Sequence, residues 1–563
     1  MALVIAVVMV LAMGVTVFAD DATTTTYTIT INKDTTDKAA HTYGAYQIFT
    51  GKLETVDGKD VLSDIQWGTG VTGATVITKL NEIEGFSIPT TATASDVAKA
   101  ISDKSYTEDA AGAQAVADAI NAALTSATAG TVSIAADAKK GTITGLAAGY
   151  YLVKDTADVS GEGSATRYIL EVVKNVTVDE KANVPSVIKK VKEKDDNTGN
   201  VTGWQDAADY DIGDSIPYKL EGTLPGKFAE YDTYKVYTMT DTLSNGLTAP
   251  AASDIKVTLN TETGTDLVAA NIFEASVSGQ VITVKLKSGV DLRTADYNGD
   301  ADGGQFTATD KIIVTYNATL NENAKIGSEG NPNTVKLDFT NNPNGEQDGK
   351  YGTTPEDKVI VFTYEIKALK VEPTSDAAID ETAYKALTDA QKAEYVKVGD
   401  KYQKTQALAG AGFTLYKKVN GTYTAVGNEV TGVTTFEFKG TDAGEYKLVE
   451  TTVPSGYNKA DDVEIKVEAT YDTDSADPKL TSLTVTPETA GFVVESTTTP
   501  GEGEGAASTT TYSGNIVGKI LNQKGSVLPS TGGIGTTIFY IVGAILVIGA
   551  GVILVTRRRM NAN

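Results

Sequence analysis

The chain has 563 residues, no cysteine, one histidine (His41) and a formal net charge of −25, from 73 Asp and Glu against 48 Lys and Arg. That balance argues against nucleic acid and anionic membrane as partners. The lack of cysteine beside a lone histidine removes most hydrolase triads and most zinc sites, so a turnover enzyme is disfavoured before any motif is read. Residues 1–19 are mostly apolar and end in Val17-Phe18-Ala19, which reads as a signal peptide cut after a small residue. The basic start expected of such a peptide is missing, which points to a start codon upstream of Met1.

Beyond that segment the pattern is all-β. Short alternating runs rich in Val, Ile, Thr and Tyr recur between Gly, Asn and Asp turns: Tyr27–Ile31, Ile282–Leu286, Lys311–Tyr316 and Glu464–Ala469. This spacing predicts tandem Ig-like β-sandwiches strung into an elongated rod. Helical insertions are expected at 94–102, 110–126 and 381–396. The expected divisions are a β-sandwich over 20–183, a second over 184–363, a third over 364–525 and a C-terminal signal over 526–563. The Gly/Thr/Glu-rich stretch 496–513 reads as a mobile loop before a final strand. Within Gly444–Tyr457, alternation places Glu450 on the same face as Tyr446 and Leu448. A carboxylate aimed into a core is costly unless protonated or hydrogen-bonded.

The C-terminus reads Leu528-Pro529-Ser530-Thr531-Gly532, then an apolar run over 536–555, then Arg557-Arg558-Arg559. A run of about 20 residues at about 1.5 Å each just spans a bilayer core, and the arginines hold the end in the cytoplasm. This triad resembles the LPxTG cell-wall sorting signal of Gram-positive surface proteins, in which a sortase cleaves between the residues matching Thr531 and Gly532. The segment Gly444–Tyr457 resembles the E-box of sortase-assembled pilins, YxLxETxAPxGY, with Val453 where Ala is usual. Val176-Thr177-Val178-Asp179-Glu180-Lys181-Ala182-Asn183 resembles the pilin motif VxVYPKN, with Asp-Glu in place of Tyr-Pro and the Asn one position late. Taken together, the chain resembles the major, shaft-forming pilins of Gram-positive sortase-assembled pili, built from CnaB- and CnaA-type domains.

The resemblance implies intramolecular isopeptide bonds between a first-strand Lys and a last-strand Asn, with loss of ammonia. Physically, a buried Lys has a lowered pKa and offers a neutral amine, a neighbouring acid moves the proton, and the fold supplies proximity. By this resemblance the C-terminal set is Lys370, Asn522 and Glu450, with Lys367 in reserve on the opposite strand face. The middle set is Lys189, Asp241 and Asn333, with Asn341 as competitor. In the N-terminal domain Gly149–Thr156 resembles the E-box, but Lys154 stands in the acid's place and Asp155 points to the other face. Lys33 and Asn175 are therefore expected to stay unlinked. Lys181 is the implied acceptor that joins the Thr531 carbonyl of a neighbouring subunit. The implied partners are a class C sortase, identical subunits, minor pilins, peptidoglycan and host surface ligands. The implied location is the cell wall of a Gram-positive bacterium, with transient membrane anchoring by 536–555. A monomeric, peptidoglycan-anchored adhesin is the alternative. No cofactor or metal is expected: Asp296–Gly303 resembles a calcium loop, but Ala301 occupies the turn-glycine place and no Glu follows at the twelfth position. His41 and Trp67 read as packing or surface residues.

Overall fold

The computed structural model describes residues 25–33, 37–56, 59–104, 111–156, 167–172, 174–179, 184–299, 304–342, 351–374, 377–501, 508–524, 542–548 and 550. The expected signal peptide, Lys181, the pentapeptide 528–532 and most of 536–555 lie outside the described residues. Of that apolar run, 542–548 are helical. Among the described residues no helix is long and apolar enough to cross a membrane.

The fold is mostly β, with three successive pairs of sheets. In the first pair, Tyr27–Asn32 lies between Lys140–Leu146 and Val176–Asp179, the latter parallel to it. The facing sheet centres on His41–Val56 paired with Gly149–Asp155. Ile29, Ile31, Tyr43, Tyr151 and Val153 fill the space between, as two-residue alternation requires. Three helices, Gly73–Leu80, Ala94–Ser102 and Ala111–Asn121, build a second core from Val76, Leu80, Val97, Ile101 and Ile120. The helix Ala94–Ser102 starts at a capping box between Thr93 and Asp96. Gly73–Leu80 was not anticipated, because its 8 residues are too few for a helical period to register.

The middle pair sets a seven-stranded sheet, with Tyr237–Leu243 beside Asn331–Phe339, against a five-stranded one. In the latter, Ser215–Thr223 lies between Val187–Val191 and Lys311–Leu320. In the third pair, Tyr364–Pro373 runs parallel to Thr509–Leu521. It faces a sheet containing Gly412–Val419 and Gly444–Thr452. Two sequence expectations change here. The run 381–396 forms two short helices, Glu381–Lys385 and Asp389–Lys392, then a strand, Tyr395–Val398. A new capping box at Thr388 restarts the helix between them. The stretch expected as a loop over 496–513 is largely a hairpin of Phe492–Thr499 with Thr509–Leu521. Threonine is β-branched and suits a strand, and the Thr498 and Thr510 hydroxyls meet across it at 3.1 Å.

Only Thr363 separates the strand Asp357–Phe362 of the second pair from Tyr364–Pro373 of the third. Side contacts stiffen this junction. The Lys417 ammonium, 3% exposed, lies 2.7 Å from carboxylate oxygens of Asp196, Asp211 and Asp442. The Ile212 N–H donates to Gly440 O at 2.9 Å, and the Ala443 N–H to Asp209 Oδ2 at 3.0 Å. On the other flank the Tyr512 N–H donates to Ser328 Oγ at 2.9 Å. Gly327, at φ +69°, comes so close to the last strand that a Cβ there would lie 2.4 Å from the Ser513 carbonyl carbon. Only glycine fits such an approach.

Candidate functional site

In the C-terminal pair the alternation read from sequence is realised. Tyr446, Leu448 and Glu450 all face inward, and Glu450 is 1% exposed. Opposite it, Lys370 and Asn522 come from neighbouring parallel strand ends, the Asn522 N–H donating to Val371 O at 3.0 Å. The Lys370 ammonium lies 2.5 Å from Asn522 Oδ1 and 2.9 Å from Glu450 Oε1. The Asn522 amide donates to both Glu450 oxygens, at 2.9 and 3.3 Å. Glu450 Oε2 also accepts the Ala460 N–H at 2.6 Å, which fixes the carboxyl plane. Burial pulls the Lys370 pKa below the usual lysine range, against the opposing pull of Glu450. The Phe413 ring lies 5.2 Å from Nζ and closes the site. Lys367 lies on the other strand face, paired with Glu365 and Glu437 at 3.1 and 3.3 Å.

The middle set is built differently, because its Lys and Asn lie on opposite sheets, whereas Lys370 and Asn522 share one. Lys189, fully buried on Val187–Val191, reaches across the core to Asp241 Oδ2 at 2.7 Å. The Asp357 carboxylate accepts the Lys189 backbone N–H at 2.6 Å and pins the strand. Burial lowers the Lys189 pKa and raises that of Asp241, so desolvation drives this pair toward neutral amine and carboxylic acid. Asn333 is fully buried beside them. Its amide donates not to Asp241 but to Tyr316 Oη at 2.9 Å. Tyr316 Oη also accepts from Lys189 Nζ at 3.0 Å and donates to Asp241 Oδ2 at 2.5 Å. Asn341 is buried too, but eight residues further on it lies about 27 Å along the strand direction from Asn333. Tyr316 is absent from the sequence-derived set. The available signal was its inward alternation with Ile312 and Val314, since a buried Tyr hydroxyl needs a partner.

The N-terminal pair does not bring Lys33 and Asn175 together. Lys33 Nζ donates to the carbonyls of Ala39 and Ala136, whereas Asn175 Oδ1 accepts the Thr28 N–H at 3.0 Å, toward the other end of the strand. Lys154 donates to Asn121 Oδ1 at 3.0 Å. His41 is buried between Asp37 and Asp155, each with a carboxylate oxygen 3.1 Å from a ring nitrogen. In the Asp296 loop the carboxylate accepts the N–H groups of Asn298 and Gly299, an ordinary turn, and 300–303 lie outside the described residues. The carboxylates of Asp196, Asp211 and Asp442 converge as metal ligands would, but the Lys417 ammonium already sits among them.

Three family descriptions match the chain: a Gram-positive pilin backbone subunit 2, Cna-B-like domain over 212–343, a prealbumin-like fold domain over 394–480 and an LPXTG cell wall anchor motif over 520–562. The matched domains and anchor motif are those of Gram-positive backbone pilins. Among curated proteins the chain is similar to the trypsin-resistant surface T6 protein of Streptococcus pyogenes serotype M6. The two are 26% identical over 454 residues, 72% of this chain and 75% of the relative. Among solved structures it is similar to the T6 backbone pilin of the same serotype (18% identity, TM-score 0.47, covering 91% of this chain and 100% of that one). It is also similar to the major pilin SpaD of Corynebacterium diphtheriae (14% identity, TM-score 0.40, covering 90% and 99%). The backbone-pilin domain and the LPXTG anchor motif support a structural subunit of a pilus shaft at the Gram-positive cell wall.

Proposed function

We propose that the chain is polymerised by a class C sortase, which cleaves between Thr531 and Gly532 and passes the Thr531 carbonyl to Lys181 of the next subunit. Three domains, over 20–183, 184–363 and 364–525, make up the exported part, and the segment 526–563 is consumed in sorting. Joining the foot of one subunit to the top of the next is a heterologous contact that does not close, so it gives a linear fibre. Minor pilins and peptidoglycan terminate or anchor it. Lys370 with Asn522, and Lys189 with Asn333, each close one isopeptide bond in a single autocatalytic event. The observation that carries this reading is the buried convergence of amine, carboxamide and carboxyl at Lys370, Asn522 and Glu450.

Each bond expels one ammonia, about 17 Da, as amide formation requires. Intact-mass measurement of residues 20–531 is expected to show two such deficits. Tryptic recovery of unbranched Lys370 and Asn522 peptides would refute the C-terminal assignment. Coexpression with the cognate sortase is expected to give a polymer ladder that Lys181→Ala abolishes. A ladder of wild-type intensity from that variant would assign the acceptor role to another lysine.

A further inference from the structure

The two buried sites differ in one respect that bears on their chemistry. Glu450 touches both nitrogens that exchange places in the reaction, the Lys370 amine and the Asn522 amide. Asp241 has a shorter side chain. Its Oδ2 meets the Lys189 amine at 2.7 Å, while the Asn333 amide nitrogen is held by Tyr316 Oη at 2.9 Å. Tyr316 bridges the gap, because its hydroxyl also contacts Asp241 Oδ2 at 2.5 Å and Lys189 Nζ at 3.0 Å.

We propose that Tyr316 is a catalytic residue of the middle domain, relaying the proton that Asp241 takes from Lys189 to the departing nitrogen of Asn333. This rests on the crosslinking reading above and deepens it. The Lys189 lone pair attacks Asn333 Cγ, giving a tetrahedral centre with a protonated Nζ and an anionic Oδ1. At that point Nδ2 loses amide resonance and becomes basic. A ground-state amide nitrogen can only donate, as it does here to the phenol oxygen. The Tyr316 hydroxyl hydrogen turns to Nδ2, the Asp241 proton moves to the phenol oxygen, and the Nζ proton moves to Asp241 Oδ2. The C–Nδ2 bond then breaks, the carbonyl reforms and ammonia leaves. One Nζ–Cγ bond replaces one Nδ2–Cγ bond, and Asp241 and Tyr316 are both regenerated. The route needs no water, which suits a core where Lys189, Asp241 and Asn333 are all fully buried. Burial holds the Tyr316 phenol well above its ordinary pKa, so it acts as a hydrogen carrier and not as a phenolate.

The acid of the middle set is Asp and that of the C-terminal set is Glu, and among the described residues it is the shorter acid that has a tyrosine hydroxyl at the amide nitrogen.

The test is intact mass of the full chain carrying Tyr316→Phe, followed over time after synthesis. The ring is kept, and the C-terminal bond serves as an internal control. The expected result is one deficit of about 17 Da in place of two, mapping to Lys370–Asn522, or at least a tenfold slower appearance of the second. The double variant Tyr316→Phe with Asp241→Glu gives the longer acid the reach that Glu450 has, and it is expected to regain the second deficit. Conservative rescue of that kind would not follow from a merely structural loss. Two deficits at wild-type pace in Tyr316→Phe would overturn the relay. A wild-type chain with no deficit at Lys189 would overturn the crosslinking reading itself, which the variant arms alone would not reveal.

Discussion

Glu450→Gln tests the C-terminal site most directly. The substitution keeps the side-chain length and hydrogen-bonding capacity but removes the group able to move a proton between Lys370 and Asn522, so the bond is expected not to form. The crosslink would close a loop spanning 152 positions. For a loop of that length the chain-entropy relation gives about 5 kcal/mol, through restriction of the unfolded chain. For a domain of this size each kcal/mol moves the midpoint by about 2–4 °C, so the C-terminal transition should fall by about 10–20 °C. Scanning calorimetry of the purified chain measures the shift, and intact mass on the same sample should show one deficit lost and the other kept. A variant retaining both deficits would refute the role given to Glu450. One that loses a deficit with its transition unmoved would refute the entropic account of what the bond does.

Asn333→Ala is expected to remove the middle deficit, whereas Asn341→Ala should leave both. The reverse pattern, read by intact mass, would reassign the acceptor. Lys417→Met should loosen the junction between the second and third sheet pairs, since it leaves Asp196, Asp211 and Asp442 converging without their cation. Removing one partner from such a buried cluster costs about 3–5 kcal/mol. Faster chymotrypsin cleavage at Trp204 or Tyr210 would report it, and unchanged cleavage would refute it. The same junction should weaken as pH rises. Burial, aided by nearby charges, lifts the Glu193 carboxyl to about 10, and burial lifts that of Asp209 to about 6. A carboxyl raised on folding holds a proton that the unfolded chain gives up, so stability falls with rising pH. The Asp209 contribution should fade between about pH 4 and 6, and the Glu193 contribution between about pH 4 and 10. Calorimetry at several pH values checks the slope, and a junction that grows firmer toward alkaline pH would contradict the sign.

What could be read from the chain and what could not divide along a physical line. Glu450 was legible because a two-residue period is local: Tyr446 and Leu448 identify its face without any knowledge of the neighbouring strand. The same period puts Lys370 and Lys367 on opposite faces, while the preference for Lys370 rests on the resemblance. Tyr316 was not legible, because its closeness to Asn333 depends on how two sheets stack, and no local pattern records that. Lys417 was invisible for a related reason. It sits in an ordinary alternating strand, and two of its three carboxylates come from more than 200 positions away in the chain. The pairing of Phe492–Thr499 with Thr509–Leu521 departs from the loop expected over 496–513, because a run of threonines is good strand material despite its low complexity; 502–507 lie outside the described residues. His41 was read as a packing or surface residue. It is buried, and its ring meets the carboxylates of Asp37, four positions away, and Asp155, 114 positions away; sequence separation conceals the second.

The three sheet pairs solve one mechanical problem in three ways. In the proposed fibre, tension enters near Thr531 and reaches the folded part at Asn522. There the tie to Lys370 joins two neighbouring parallel strands, so force crosses into Tyr364–Pro373 without unzipping Thr509–Leu521. It then passes through Thr363 into Asp357–Phe362, the strand antiparallel to Asn331–Phe339, which carries Asn333. The second proposed tie would run between sheets, from Asn333 to Lys189, and so would resist separation of the sandwich halves. Lys189 lies near the start of this unit, and from there the chain runs back toward Lys181. Among the described residues of the N-terminal pair, Lys33 and Asn175 stand apart and the contacts at the corresponding place are noncovalent. Lys33 is satisfied by backbone carbonyls, and His41 holds Asp37 and Asp155. Noncovalent contacts yield under sustained load where amide bonds do not. Stretching a polymer should therefore extend the N-terminal pair first, and extension of all three pairs at one force would mean that the ties do not divide the load this way.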